Sequence, residues 1–270
     1  MPEENPLDLI RKRTIVYRVP EMDAVTVRHD VEYMSAPGEP RTLDLYIPPH
    51  QESKSGLPAL VFVMGYPDAG MQAMLGCRAK EIGQYTSWAR LAAASGMLGV
   101  TYSAQEPATE TLAVLRYLRE NARSLDLDSE RIGIWSCSGN VPNALALLMS
   151  EGAAIRCAVL CYGITLDAGG TTHVAEAQAM FRFVNPAAGR SVADLPSEVP
   201  IFMARAGRDE VPHLNDTIDR FVADAMAIDL PITLVNHRGA PHAFDTILDD
   251  EPTREIIRRI LAFVRFHLQS

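Results

Sequence analysis

The chain has 270 residues, 47% of them apolar, which is enough to bury a sizeable core in one α/β domain. Its formal charge of −9 argues against nucleic acid or an anionic membrane as the main partner, since both recruit a basic face. No run approaches the roughly 18–20 apolar residues of a spanning helix, and the acidic start Met1-Pro-Glu-Glu-Asn-Pro6 is unlike a secretory signal. Cys77, Cys137, Cys157 and Cys161 show no Cys-x-x-Cys spacing, and the last two share one face of a predicted buried strand, where Cys packs as a small hydrophobe. A reduced, cytoplasmic setting is the expectation.

Residues 1–24, with Pro2, Pro6 and Pro20, read as an arm lying on the domain. Val25, Val27, Val31 and Tyr33 approximate a period of two. Leu43, Leu45 and Ile47 repeat it after the turn Ser35-Ala-Pro-Gly-Glu-Pro40, which predicts an antiparallel hairpin. Pro48, Pro49 and the polar stretch to Gly56 form a loop. The pattern then changes, because Leu60–Met64 is a continuous apolar run of the kind buried on both faces. Ser87–Ala94 reads as a helix, Met97–Tyr102 as a strand, and Glu110–Ala122 as a helix with Leu112, Leu115 and Leu118 on one face. Ile155–Tyr162 and Val199–Ala204 are further buried strands, Leu214–Met226 a helix, Pro231–Val235 the last strand and Glu255–Leu268 a closing amphipathic helix. Strands alternating with helices imply a mostly parallel sheet covered on both faces.

Between the second and third of these helices lies Arg131-Ile-Gly-Ile-Trp-Ser-Cys-Ser-Gly-Asn140, followed by a helix-like run with Pro142 in its first turn, where proline is tolerated. A strand turning sharply into a helix with Ser or Cys at the apex is the layout of a nucleophile elbow. Small residues are wanted two places either side of the nucleophile, where strand and helix backbones come close. Ser138 has Ser136 and Asn140 as flanks; Cys137 has Trp135 and Gly139, and an indole is hard to fit there. Ser138 is therefore favoured, with Cys137 kept as the rival. Both outer glycines of the familiar Gly-x-Ser-x-Gly are replaced, so an ordinary strand–turn–helix junction without chemistry is also open.

A hydroxyl needs a base, and the base needs an orienting group. Ligands of open α/β sheets sit beyond the carboxyl ends of the strands. After Ile201–Ala204 comes Arg-Ala-Gly-Arg-Asp209-Glu-Val-Pro, and after Ile232–Val235 comes Asn-His237-Arg-Gly-Ala-Pro-His242-Ala-Phe-Asp. A carboxylate and a histidine thus follow the strands beyond the elbow, in the order Ser, Asp, His.

On these motifs the chain resembles the α/β-hydrolase superfamily over roughly residues 25–268, and most of all its dienelactone-hydrolase and small-esterase branch. Ala-Gly-Arg-Asp209-Glu-Val-Pro resembles that branch's acid loop and Gly-Ala-Pro-His242-Ala-Phe-Asp its histidine loop. The resemblance implies one α/β-hydrolase domain over residues 1–270, with Ser138 as nucleophile, His242 as base and then acid, and Asp209 fixing the imidazole tautomer. Dienelactone hydrolases use Cys as nucleophile, which keeps Cys137 in view. Glu210 and Asp167 are alternative acids, and His237 is an alternative base that reads better as structural. His173 reads as solvent-exposed. By the same resemblance the oxyanion hole takes the backbone N–H of Gly139 and that of Tyr66, in the loop Met64-Gly-Tyr-Pro-Asp68. Whether the Tyr66 hydroxyl is also a donor there is left open by the sequence, and a plain strand-to-loop turn shaped by Gly65 and Pro67 is the bland alternative.

Residues 67–86 are long for a loop that typically has about 2–6 residues. Residues 166–198 form a cap-like insert with a short helix at Ala175–Val184 carrying Met180, Phe181, Phe183 and Val184. These inserts either cap an acyl pocket or are satellite core. The expected activity is cofactor-independent hydrolysis of small to medium uncharged esters, with no metal, since no His/Cys/carboxylate set has ligand spacing. Lactone or acyl-peptide hydrolysis would use the same residues, and a non-catalytic binding protein of this fold is the rival of another class. A homo-oligomer is left open.

Overall fold

The computed structural model describes residues 6–36, 39–49, 56–151 and 154–269. The expectations for the first five residues, for part of the Ser35–Pro40 turn and for the polar loop before Gly56 fall outside the described residues. The chain runs α1 (Pro6–Lys12), β1 (Thr26–Met34), β2 (Arg41–Ile47), β3 (Leu57–Phe62), α2 (Asp68–Leu75), α3 (Gly83–Ala94), β4 (Leu98–Tyr102), α4 (Pro107–Glu120) and β5 (Leu127–Cys137). It continues with α5 (Val141–Glu151), β6 (Cys157–Cys161), α6 (Val174–Phe181), β7 (Ile201–Ala206), α7 (Leu214–Met226), β8 (Ile232–His237), α8 (Phe244–Ile247) and α9 (Glu251–Gln269).

Among the described residues the strands form an eight-stranded sheet in the order β1-β2-β4-β3-β5-β6-β7-β8. The β1–β2 hairpin is antiparallel and β2 joins β4 antiparallel; every other pairing is parallel. The hydrophobic runs explain the arrangement. Leu57–Phe62 and Ile132–Cys137 are buried throughout, as central parallel strands under helices must be. Helices α3 and α9 lie along the sheet, while α4 and α5 pack on one another and on β5. Burial of each fully covered aliphatic side chain contributes about 1.5–3 kcal/mol. Trp135 on β5 is enclosed by Phe62 and Trp88, each with ring centroids 5.4 Å away, so aromatic rings pack on the central strand. No helix of the described residues is long and apolar enough to cross a membrane.

The strand order decides where chemistry is possible. From β3 the chain winds outward to β4, then crosses back to β5 on the other side of β3. Connections leaving the carboxyl ends of β3 and β5 therefore diverge and leave a crevice between them, the switch point at which ligands of such sheets bind.

Several boundaries differ from the sequence reading. The stretch 67–86 is not an open loop, since it holds α2, and α3 begins at Gly83 rather than Ser87. Gly70 inside α2, and Gly83, Tyr85 and Thr86 at the start of α3, are poor intrinsic helix formers, so local propensity hides both helices. Packing against α1 overrides it. The turn between these helices is pinned by Lys80, whose buried Nζ lies 2.7 Å from Asp30 Oδ1 and 2.5 Å from Asp44 Oδ1 on the hairpin. The expected helix 175–184 runs Val174–Phe181 and stops at Arg182, which adopts a left-handed backbone (φ 61°). Within the arm, Pro6–Lys12 forms α1 and Pro20–Ala24 a 3-10 turn.

Candidate active site

Ser138 stands at the carboxyl end of β5, beside the switch point. Cys137 is still extended (φ −144°), but Ser138 has φ 54°, and a 3-10 turn at Ser138–Asn140 feeds α5. A non-glycine residue in the left-handed region costs about 1–3 kcal/mol, strain that clusters where a side chain must be presented in one direction. Close approach explains the small neighbours. A Cβ on Gly65 would lie 2.7 Å from Asn140 Cα, and one on Gly139 would lie 2.3 Å from the Tyr66 hydroxyl oxygen. Asn140, which breaks the familiar glycine pattern, is put to use. Its Oδ1 accepts the Gly65 N–H at 2.6 Å, while its Nδ2 donates to Cys137 O at 3.0 Å and to the Tyr85 hydroxyl at 2.7 Å. The side chain ties the β3 loop to the elbow, which a glycine cannot do.

The structure brings the three sequence-predicted residues together. Ser138 Oγ is 2.9 Å from His242 Nε2, and His242 Nδ1 is 2.7 Å from Asp209 Oδ2. The Asp209 side chain is fully enclosed, and its other oxygen accepts the Val211 N–H at 3.0 Å. A carboxylate only accepts, so Nδ1 carries the imidazole proton and the Nε2 lone pair faces the serine hydroxyl. Asp209 lies just past β7 and His242 past β8, so three loops at one sheet edge supply the set.

The rival residues lie elsewhere or do something else. Glu210 accepts the backbone N–H of His242 at 3.2 Å, so it steadies the histidine loop without touching the ring. His237 is the last residue of β8, which runs two residues beyond the predicted end. Its buried Nε2 lies 3.1 Å from Thr253 Oγ1 and 3.3 Å from Asp250 Oδ1. Asp167 accepts from Thr172 Oγ1 at 2.8 Å and closes its own turn. His173 is exposed and stacks on His213, ring centroids 4.1 Å apart. Cys137 is buried, with its Sγ 3.6 Å from the Tyr85 hydroxyl, and burial pushes its thiol up to about 12. A thiol held there is protonated at neutral pH and is a poor nucleophile. Iodoacetamide at pH 8 is expected to leave Cys137 unmodified in the folded protein, and Cys137→Ala to retain most activity. Peptide mapping and ester assays check the two halves, and alkylation with parallel loss of turnover would reinstate the thiol.

Tyr66 and Gly139 face one another across the crevice. Neither backbone N–H has a hydrogen-bond partner among the described residues, and the Tyr66 phenol lies against Gly139. Burial raises the phenol above its ordinary range, so the hydroxyl keeps its proton and can donate. The T-shaped contact of Tyr66 with Phe183, centroids 6.3 Å apart, holds the ring in place.

Above the serine opens a cavity of about 840 Å³, lined chiefly by apolar side chains of α1, α2, α6 and α8. The 166–198 insert divides between the two readings made of it. Met180 and Phe181 line the cavity, whereas Phe183 is buried in the core beside Tyr66. Sequence reasoning missed Asn140, Tyr85, Gln84 and Asp245 as parts of the site. The one available signal was Asp245, an acidic residue in an otherwise apolar stretch three positions after His242.

No protein-family model matches the chain, and no curated protein is detectably similar in sequence. Solved structures are similar in fold. An esterase from Rhizomucor miehei superposes with a TM-score of 0.71 at 19% identity, over 98% of this chain and 92% of its own. An α/β-hydrolase enzyme from a Medee basin deep-sea metagenome library gives 0.66 at 15% identity, over 91% and 99%. Thermogutta terrifontis esterase 2, phosphoramylated by tabun, gives 0.65 at 16% identity, over 93% and 99%. The chain has the α/β-hydrolase fold.

Proposed function

We propose that the chain is a serine hydrolase that cleaves carboxylic esters through an acyl-enzyme on Ser138. The observation that carries the reading is the unbroken chain Ser138 Oγ–His242–Asp209, at 2.9 and 2.7 Å, opening into a cavity at the switch point of the sheet. Two further facts support it: Ser138 has a positive φ, as a presented nucleophile requires, and the N–H groups of Gly139 and Tyr66 have no hydrogen-bond partner among the described residues. The esterases among the similar folds agree, including one that carries a tabun adduct.

In this reading Ser138 Oγ attacks the ester carbonyl and His242 Nε2 takes its proton. The developing oxyanion is held by the N–H groups of Tyr66 and Gly139, with the Tyr66 hydroxyl close by; each such donor contributes about 3 kcal/mol to the transition state. His242 then gives the proton to the departing alcohol. Water, deprotonated by the same nitrogen, releases the acid and restores the serine. Asp209 holds the tautomer and stabilises the imidazolium without itself becoming protonated. The apolar walls favour small to medium uncharged esters. The histidine loop still points to the dienelactone-hydrolase and small-esterase branch, in which lactones are an alternative substrate. Four free, buried cysteines suit a reduced compartment, and the 166–198 insert acts as a cap on a single catalytic domain.

Intact mass after incubation with a fluorophosphonate probe, then peptide mapping, tests the reading. One adduct on Ser138 is the expected result. No adduct on folded protein overturns it in favour of a non-catalytic binding protein.

A further inference from the structure

Beneath the cavity lies a buried polar cluster that the proposed mechanism does not use. Asp245, on α8, is almost fully buried, and its carboxylate accepts from Trp88 Nε1 at 2.7 Å, from the Tyr162 hydroxyl at 2.6 Å and from Gln84 Nε2 at 3.0 Å. Burial raises the Asp245 carboxyl, and these three donors oppose the rise. The backbone is tied down as well, because Asp245 O accepts the Val16 N–H at 2.8 Å. Tyr162 carries the arrangement back to the triad, its ring meeting that of His242 edge-on at 5.1 Å.

This cluster fixes which way one amide points. The Tyr162 proton is committed to Asp245, so the group 2.5 Å from the Tyr162 oxygen has to be the Gln84 NH2. The same NH2 faces both Asp245 oxygens, which would repel a carbonyl. Gln84 Oε1 therefore points away from the cluster, and its one hydrogen-bond neighbour among the described residues is the Cys137 thiol at 3.9 Å, a weak donor. Gln84 is half-buried and lines the cavity together with Cys137, the residue before Ser138. A chiefly apolar cavity, whose other polar lining includes Arg13, Tyr85 and Arg182, thus carries in Gln84 Oε1 an acceptor that the cluster holds from flipping into a donor.

We infer that Gln84 Oε1 is a specificity-determining acceptor, and that the preferred esters carry an O–H or N–H donor on the part of the molecule lodged beside Cys137. The inference rests on the ester-hydrolase reading and deepens it. A ligand with only methylenes there strips water from Oε1 without replacing its hydrogen bond, whereas a hydroxyl replaces it. Hydroxyacyl esters, or esters of diols, are the compact members of that class.

The test compares kcat/KM for ethyl butanoate with its 2- and 3-hydroxy derivatives, and for butyl butanoate with hydroxybutyl butanoates, in wild type and in Gln84→Met. At least one hydroxylated ester is expected to exceed its parent by about tenfold in wild type, and the gap to close in the variant. Loss of the Asp245 contact alone would lower both members of a pair equally, so the ratio reports recognition and not scaffolding. Equal rates within every pair in wild type overturn the inference, as does a preference that survives in Gln84→Met. Should the variant not fold, competition of butanediols against butanol for wild type decides; equal inhibition overturns it. Wild type that hydrolyses no ester and takes no fluorophosphonate adduct refutes the underlying reading instead.

Discussion

Ser138→Ala is expected to lower kcat for esters by about a thousandfold or more while leaving the folded protein intact. The loss is large because the hydroxyl is the group that His242 Nε2 meets, at 2.9 Å, and alanine offers nothing to attack the carbonyl. The fold should tolerate the change, since Ser138 is half-buried and alanine is smaller. The left-handed backbone is the one structural cost, and serine already bears it at φ 54°. Steady-state kinetics with thermal denaturation check both halves. Turnover near that of wild type would remove Ser138 from the chemistry. Under the proposed mechanism Ser138, His242 and Asp209 would act as a unit, so adding Asp209→Asn to this variant should lower activity little further.

The site was legible to the extent that its residues follow strand ends. Ser138, Asp209 and His242 could be placed because each follows a predicted strand, and chain order then set which loops meet. The buried strands β3 to β7 were legible for the same reason. What escaped was anything set by contacts between distant segments. Asn140 looked like a damaged glycine, yet its amide bridges 75 positions to Gly65. Gln84 looked like part of a loop because Gly83 and Thr86 weaken the local helix signal, and its amide is oriented by Asp245, 161 positions away. Glu210 was weighed as an acid because it neighbours Asp209. Only the folded loops show its carboxylate on the His242 backbone instead of the ring. His237 was read as lying past the last strand, because the pattern Asn236-His237 is polar. It is in fact paired in register with Ala206, and β8 is an edge strand that needs no apolar run.

Asp209→Asn should be nearly as damaging as loss of the nucleophile, although it removes no atom from the reaction path. The carboxylate accepts the Nδ1 proton of His242 at 2.7 Å and thereby leaves the Nε2 lone pair facing the serine. An asparagine can present its NH2 to that nitrogen. The ring is then driven to the other tautomer, with its proton on Nε2, pointing at Ser138 where a base is required. In serine proteases the equivalent change costs about ten-thousandfold in kcat with the geometry preserved. A similar loss is expected here, concentrated in kcat and with KM little changed, because Asp209 is enclosed and does not line the substrate cavity. The other Asp209 oxygen accepts from the Val211 N–H, and an asparagine keeps that bond through its own carbonyl. Stability should therefore fall far less than rate, which separates an electrostatic and tautomeric role from a structural one. A variant that keeps most of its kcat would assign the orienting role to another carboxylate. Glu210 is the nearest candidate, already 3.2 Å from the His242 backbone nitrogen.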